Sequence, residues 1–274
     1  MKVATTTRRQ GEQGFTLVEL VTVIVLVGIL GAMSVAFITK PIEGYVALSR
    51  RAELVDAADN ALRRMQRDIR QSLPNSIRIG AGGLSLELLH TSDGGRYRVQ
   101  GPGDILDFSD VTDSSFDVLG GLAGPPPAGS GLVIYNLSAS GATGNAYQSP
   151  ADNRFSIDSA ASSASVIQFT PKVPAASFPR SSPYQRFFVV DGPVSYVCDP
   201  AAGTLTRHAG YAIAPSPSLG SGDLVTRQVQ SCNFTYQPGS SQRAGLVTLT
   251  LTLEDAPSAE RVSLLHQVHV LNSP

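Results

Sequence analysis

Glu19 is the residue whose chemistry organises this chain. It stands in an apolar run from Phe15 to Ile38 that is otherwise broken only by Thr16, Thr22, Ser34 and small residues. An ionised side chain inside such a run costs roughly 2.5–3.5 kcal/mol on membrane-insertion scales. Two readings are open: the carboxylate is solvated one turn from the membrane edge, or it meets a cation.

The other residues that could carry chemistry are few. Cys198 and Cys232 are the only cysteines. If they lie outside the cytoplasm, oxidising conditions favour a bridge between them, worth roughly 3–4 kcal/mol in the chain-entropy model; the alternative is two buried thiols. Asp104, Asp107, Asp110, Asp113 and Asp117 form an acidic stretch. The first four are candidate oxygens for Ca²⁺, which takes six to eight, but nothing matches an EF-hand loop, and a solvated loop is the simpler expectation. His266 and His269 lie on an expected strand, where a spacing of three puts them on opposite faces. His90 and His208 have no carboxylate or cysteine at useful spacing. No nucleotide loop, zinc motif or nucleophile elbow occurs, so the sequence offers neither an enzyme nor a cofactor. The net charge of −1 gives no basic surface for nucleic acid.

These residues need elements to position them. About 20 apolar residues suffice to cross a bilayer as a helix, so the segment 15–40 is expected to span. Lys2, Arg8 and Arg9 before it, against one acid, favour a cytoplasmic leader with the chain after Lys40 on the other side. Pro41 is expected to break or kink the helix. Gly28 and Gly31 are its weak points, suited either to local unwinding or to packing between helices. Leu48, Ala52, Val55, Ala58, Leu62, Met65, Ile69 and Leu73 then recur every three or four residues, the pattern of an amphipathic helix, which Pro74 and Asn75 should end. Arg63, Arg64, Arg67 and Arg70 read as a solvated face, with Asp59–Arg63 and Arg64–Asp68 as surface pairs.

Beyond residue 75 the text reads as strands and loops. Ser76–Gly80, Leu84–His90 and Arg96–Val99 suggest a meander turned at Gly-Gly and Asp-Gly-Gly. Residues 120–131 form a Pro/Gly connector and 138–153 a second loop. Leu132–Leu137, Ala164–Thr170, Arg186–Val190, Pro193–Cys198 and Leu224–Tyr236 are expected strands, with a turn at Asp199–Gly203. Gly245–Glu254 puts Val247, Leu249, Leu251 and Leu253 on one face and threonines on the other, with Arg261–Leu271 as its hairpin partner. The fold class is α+β: a long N-terminal helix packed on a β-rich, mainly antiparallel head.

Gly14-Phe15-Thr16-Leu17-Val18-Glu19-Leu20, after a basic leader and before a long apolar run, resembles the processing site of type IV prepilins and pseudopilins. The cut precedes the apolar run, unlike that of a secretory signal, so the helix stays in the mature chain. The resemblance implies cleavage after Gly14 by a prepilin peptidase/methyltransferase, N-methylation of Phe15, and pairing of Glu19 with the terminal amine of a neighbouring subunit. It implies the divisions 1–14 leader, 15–40 transmembrane half-helix, 41–74 amphipathic half-helix and 75–274 periplasmic head. Its partners would be other pilins of the same filament, an inner-membrane assembly platform and the lipid bilayer. Many members carry a proline mid-membrane, which this chain lacks.

The segment 61–79, ALRRMQRDIRQSLPNSIRI, resembles minor pilins of the mannose-sensitive haemagglutinin (MSHA) biogenesis group, the MshO type. Related helices occur in minor pseudopilins of type II secretion. The MshO-type match implies that Cys198 and Cys232 pair and staple neighbouring strands or their loop. The function implied is a minor pilin acting in assembly, initiation or at the tip of a pilus. The alternatives are a minor pseudopilin and a membrane-anchored periplasmic binding module that never polymerises.

Overall fold

The computed structural model describes residues 14–171, 177–239 and 243–270, the side chains of residues 35, 36 and 81 excepted. One helix, α1 (Leu17–Arg70), is followed by twelve strands among the described residues. These are β1 (Arg78–Ile79), β2 (Ser85–Tyr97), β3 (Ser115–Leu119), β4 (Gly131–Ile134), β5 (Arg154–Ile157) and β6 (Val166–Thr170). Then come β7 (Arg186–Asp199), β8 (Thr204–Ala209), β9 (Asp223–Arg227), β10 (Val229–Gln237), β11 (Gly245–Asp255) and β12 (Glu260–Val270). All ladders between them are antiparallel, and the α+β layout stands.

Helix α1 has 54 residues, about 81 Å at 1.5 Å per residue. Pro41 lies inside it and does not break it, and the helix is continuous through Gly28 and Gly31. A proline removes one N–H and crowds one carbonyl, and here the turns on either side continue regardless. The helix stops at Arg70, before Pro74, because the backbone of Gln71–Leu73 turns to β2. Leu73 N–H donates to the Leu89 carbonyl at 2.7 Å, and Thr91 N–H to that of Gln71 at 2.8 Å. Residues up to Arg50 and from Arg51 onward form two compact units. In the first, the described apolar side chains from Phe15 to Leu48 are exposed.

The second unit contains two modules, each with its own core, and a smaller buried cluster of Leu73, Leu89, Val133, Ala146, Tyr147 and Val190 between them. In the base, the helix face Leu54, Ala58, Ala61, Leu62, Met65 and Ile69 is buried among aliphatic side chains of two sheets. Leu54 and Ala61 take part where the expected periodicity had Leu48 and Ala52, which are exposed; the buried stripe is set by where the sheets lie. One base sheet combines β1, the first half of β2, the second half of β7, β8 and β9. The other is β10-β11-β12. Its centre is the expected strand: Val247, Leu249, Leu251 and Leu253 are buried, with the threonines between them half-buried. The hairpin to β12 keeps an unbroken register from Asp255↔Glu260 to Gly245↔Val270. His266 is half-buried and His269 exposed, on opposite faces as expected.

The second module is a closed barrel. The ladders β2–β3, β3–β6, β6–β5, β5–β4, β4–β7 and β7–β2 complete a ring of six strands. Closure leaves no free edge. The interior holds Tyr97, Phe116, Phe155, Phe169, Phe178 and Phe187 among aliphatic side chains of the same strands and loops, the rings in tilted or edge-to-face contact at 4.0–6.3 Å.

Several expectations are corrected here. Asp93-Gly94-Gly95 is not a turn but mid-strand in β2, just past a register shift near Thr91. A Cβ on Gly95 would sit 3.0 Å from the Phe187 ring, and one on Gly94 3.1 Å from the Phe187 carbonyl. The glycines let the two longest strands approach closely. Arg186–Val190 and Pro193–Cys198 are one strand, β7. Leu224–Tyr236 is two strands in different sheets, separated at Gln228, whose φ of 61° redirects the chain. Strand β3 lies in the stretch read as an acidic loop, and β5 follows the expected 138–153 loop where no strand was expected. Finally, β4 stops at Ile134, short of Leu137, because Tyr135 takes φ 51°.

The barrel is a contiguous excursion from the base. Residues 91–190 leave at the end of one paired half of β2 and return beside it, where His90 lies opposite Gly192 and Thr91 opposite Val190. His90 Nδ1 meets Asp191 Oδ1 at 2.8 Å, and its Nε2 meets Gln71 Oε1 at 3.0 Å. That small cluster joins the end of α1 to both crossing strands.

Candidate functional site

The N-terminus of α1 is built locally. Thr16 Oγ1 accepts from the Glu19 amide at 3.3 Å, and the Thr16 carbonyl from the Leu20 amide at 3.2 Å. This makes Thr16 the N-cap and Glu19 the third helical residue, in the T-x-x-E spacing of a capping box. The cap at Thr16 was not read from the sequence, although that spacing was there to be read. Gly14 and Phe15 precede the helix in non-helical backbone. A Cβ on Gly14 would meet nothing within 4 Å, and Phe15 is 78% exposed. The Gly14–Phe15 bond is therefore outside the helical hydrogen-bond ladder, and a cut there leaves the cap intact.

The electrostatics of this end favour an anion. Unpaired N–H groups and the macrodipole make the first turn positive, and Glu19 stands in it. Other polar side chains of the run are satisfied within the helix. Thr22 Oγ1 donates to the carbonyls of Val18 and Glu19 at 3.0 and 2.9 Å, and Ser34 Oγ to that of Leu30 at 2.7 Å. The Glu19 carboxylate has no such partner among the described residues. Residues 1–13 of the expected leader lie outside the described residues.

The cysteines come together. Cys198 on β7 and Cys232 on β10 form a disulfide, with Cα atoms 6.4 Å apart and 34 residues between them in sequence. The bridge joins the two base sheets rather than neighbouring strands of one sheet. Both residues are buried in the base core.

The acidic candidates do not gather into a ligand set. Among the described residues no group of three or more His, Cys, Asp or Glu side chains is placed to hold a metal. The oxygens serve their own loop instead. Asp107 Oδ1 accepts from the Ser109 amide and hydroxyl at 2.8 and 2.6 Å, and Asp110 Oδ1 from those of Thr112 at 2.8 and 2.7 Å. Those bonds hold both carboxyls below the usual range. Asp113 Oδ2 accepts from the Asp107 amide at 2.7 Å, and Asp104 Oδ2 from the Ser115 hydroxyl at 2.6 Å. These are the Asx turns of a tied surface loop.

Two polar networks fasten the base. Asp68 on α1 accepts from Arg207 Nε at 2.7 Å and Tyr196 Oη at 2.8 Å, replacing the expected partnership with Arg64; Asp59–Arg63 forms as expected at 2.6 Å. Burial pushes the Tyr196 phenol up. Buried Glu87 accepts from Arg78, and from Tyr211 Oη at 3.0 Å, while the Arg78 guanidinium lies 3.5 Å from the Tyr147 ring centroid.

Residues 9–35 match the prokaryotic N-terminal methylation motif. The chain is thus type IV pilin-like at its N-terminus, and the motif implies processing by a prepilin peptidase and pilin assembly. No curated protein and no solved structure matches the chain. The helix carrying the motif includes a window of mean hydropathy 2.7, none of it buried, which fits a membrane-anchored protein.

Proposed function

We propose that this chain is a minor pilin, cut after Gly14, N-methylated on Phe15 and drawn by its apolar helix from the inner membrane into a type IV pilus of the MSHA type. The single observation that carries this reading is Glu19: a carboxylate without a side-chain partner among the described residues, at the positive end of an exposed apolar helix, and the fifth residue of the chain that cleavage would start at Phe15. Glu19 would bind the terminal ammonium of a neighbouring subunit. The Phe15–Ile38 run would form filament core after leaving the bilayer, and the head would remain in the periplasm until assembly. A head of two modules is bulky for a repeating shaft subunit and suits a low-copy place at initiation or at the tip. The prepilin peptidase, the inner-membrane assembly platform and sibling pilins are its partners in this scheme.

The test is the N-terminal mass of the protein from its native membrane, with Glu19→Ala alongside. The expected mass is that of a chain starting at N-methylated Phe15. The variant should insert and be cut normally but enter sheared filaments at a small fraction of the wild-type level. An uncut leader in cells with active prepilin peptidase, or normal incorporation of the variant, would remove the assembly role.

A further inference from the structure

The fold protects most of its sheet edges. The barrel is closed, β1 has two residues, and β9 has five, with a charged residue at each end. The edge of β10 is met by the short helical turn Ala81–Gly83, where a Cβ on Gly83 would lie 3.1 Å from the Phe234 carbonyl oxygen. Strand β12 differs. It runs for 11 residues, pairs with β11 without a register shift, and is the outer strand of its sheet. Among the described residues no backbone hydrogen bond reaches its outer side. It contains no proline, lysine or bulge, the devices that commonly blunt an edge.

Its side chains show the same lack of cover. Val262, Val268 and Val270 face the core and are buried, whereas Leu264 and His266 between them are half-buried. Their partners on β11, Leu251 and Leu249, are fully buried. On the other row Leu265 is 65% exposed, more than any other large apolar side chain described beyond Arg50.

We propose that β12 is the docking edge for an extended segment of another protein, which adds a fourth strand to the β10-β11-β12 sheet. Unpaired N–H and C=O groups along the edge supply the attraction, and alternate side chains supply the selection. From Val262 to Val270 the strand carries no acid, lysine or arginine, and Arg261 is held by Glu254 at 2.8 Å. The incoming segment is therefore uncharged over that length. One of its rows is apolar and closes over Leu264 and the core; the other places an apolar residue beside Leu265. A second copy of β12 does not suit the site. Antiparallel pairing of two such strands, about a two-fold axis normal to the sheet, reverses in one copy the helix face packed on that sheet. Parallel pairing turns the core row of one copy outward. Chains anchored in one membrane run the same way with the same face inward.

The test titrates the full chain in detergent with a fluorescein-labelled peptide copying β11 (Gly245–Asp255), the strand that β12 already accepts on its inner side, with lysines added at both ends. Fluorescence anisotropy reads binding, and hydrogen exchange reads its place. The peptide should bind roughly tenfold more tightly than a shuffled peptide of the same composition, with protection rising on β12. N-methylation along one edge of the peptide should leave binding within a few-fold, and along both edges should abolish it. Leu265→Lys should weaken binding roughly tenfold without moving the melting temperature; Gln267→Lys takes its place if that variant fails to fold. No binding, equal binding of the shuffled peptide, binding after methylation of both edges, or protection away from β12 would each overturn the proposal. So would unchanged affinity in a folded lysine variant. A chain that dimerises through β12 before peptide is added would make a second copy the occupant and overturn it too.

Discussion

The base and the barrel bury their apolar residues by different means. The base wraps two open sheets around a helix, and its core is mainly aliphatic, with Tyr196 and Phe234 as its buried rings and six residues of α1. The barrel closes a sheet on itself around six interlocked rings set among aliphatic side chains, and no helix residue enters that core. α1 supplies part of one core and none of the other. The difference separates the part of the molecule tied to the N-terminal helix from the part free to vary its outer surface.

Four experiments break or sharpen that separation, taken from the largest expected effect. Phe116 is fully buried and touches the rings of Tyr97, Phe169 and Phe187. Phe116→Ala should cost about 3–5 kcal/mol, read by hydrogen exchange as lost protection on β3–β6 with β10–β12 unaffected. Equal loss in both modules would mean that they are a single cooperative unit. Replacing both Cys198 and Cys232 by serine should cost roughly 3–4 kcal/mol by the loop-entropy argument. Denaturation should show that loss in the base, while barrel amides stay protected.

Asp68→Asn should cost about 1–3 kcal/mol, because it leaves Arg207, only 19% exposed, without its anion. Thermal melts should locate the change in the base alone. The smallest effect is expected at the junction. The His90 imidazole is raised above its ordinary value, chiefly by its bond to Asp191 and against the opposing effect of burial. Asp68 also raises it, and Arg207 lowers it. Because the folded value is the higher one, the stabilisation is fully present below the ordinary histidine value near 6.5 and fades as pH climbs through the raised value. Melting temperature should therefore fall over that window in the wild type and stay flat in His90→Gln. An NMR titration of His90 at or below its ordinary value would contradict this.

What the sequence disclosed and what it concealed follow from the range of the interactions. Glu19 in its apolar run, the α1 periodicity and the alternation of β11 are local patterns, and each was legible. So was the β11–β12 hairpin, joined by a short turn. The barrel was not, because its closure depends on β2 meeting β7 across about a hundred residues. Gly94 and Gly95 looked like a turn because glycine serves both turns and close strand contacts. Gln228 gave no warning that it would take φ 61° and send β10 into another sheet. Among the acids, Asp107 and Asp110 each stand two residues before a hydroxyl residue, a pattern that reads as an Asx turn once metal ligation is set aside.

The return of the chain at Asp191 to the place it left at His90 makes the molecule a natural cassette carrier. Neighbouring strands are about 5 Å apart, so any folded module with its ends that close could be spliced between those positions. A fluorescent reporter or an epitope could be displayed there while α1 and both base sheets keep every residue of their shared core. Over evolutionary time the same seam would let a lineage exchange what it presents to the outside without redesigning what holds it in place.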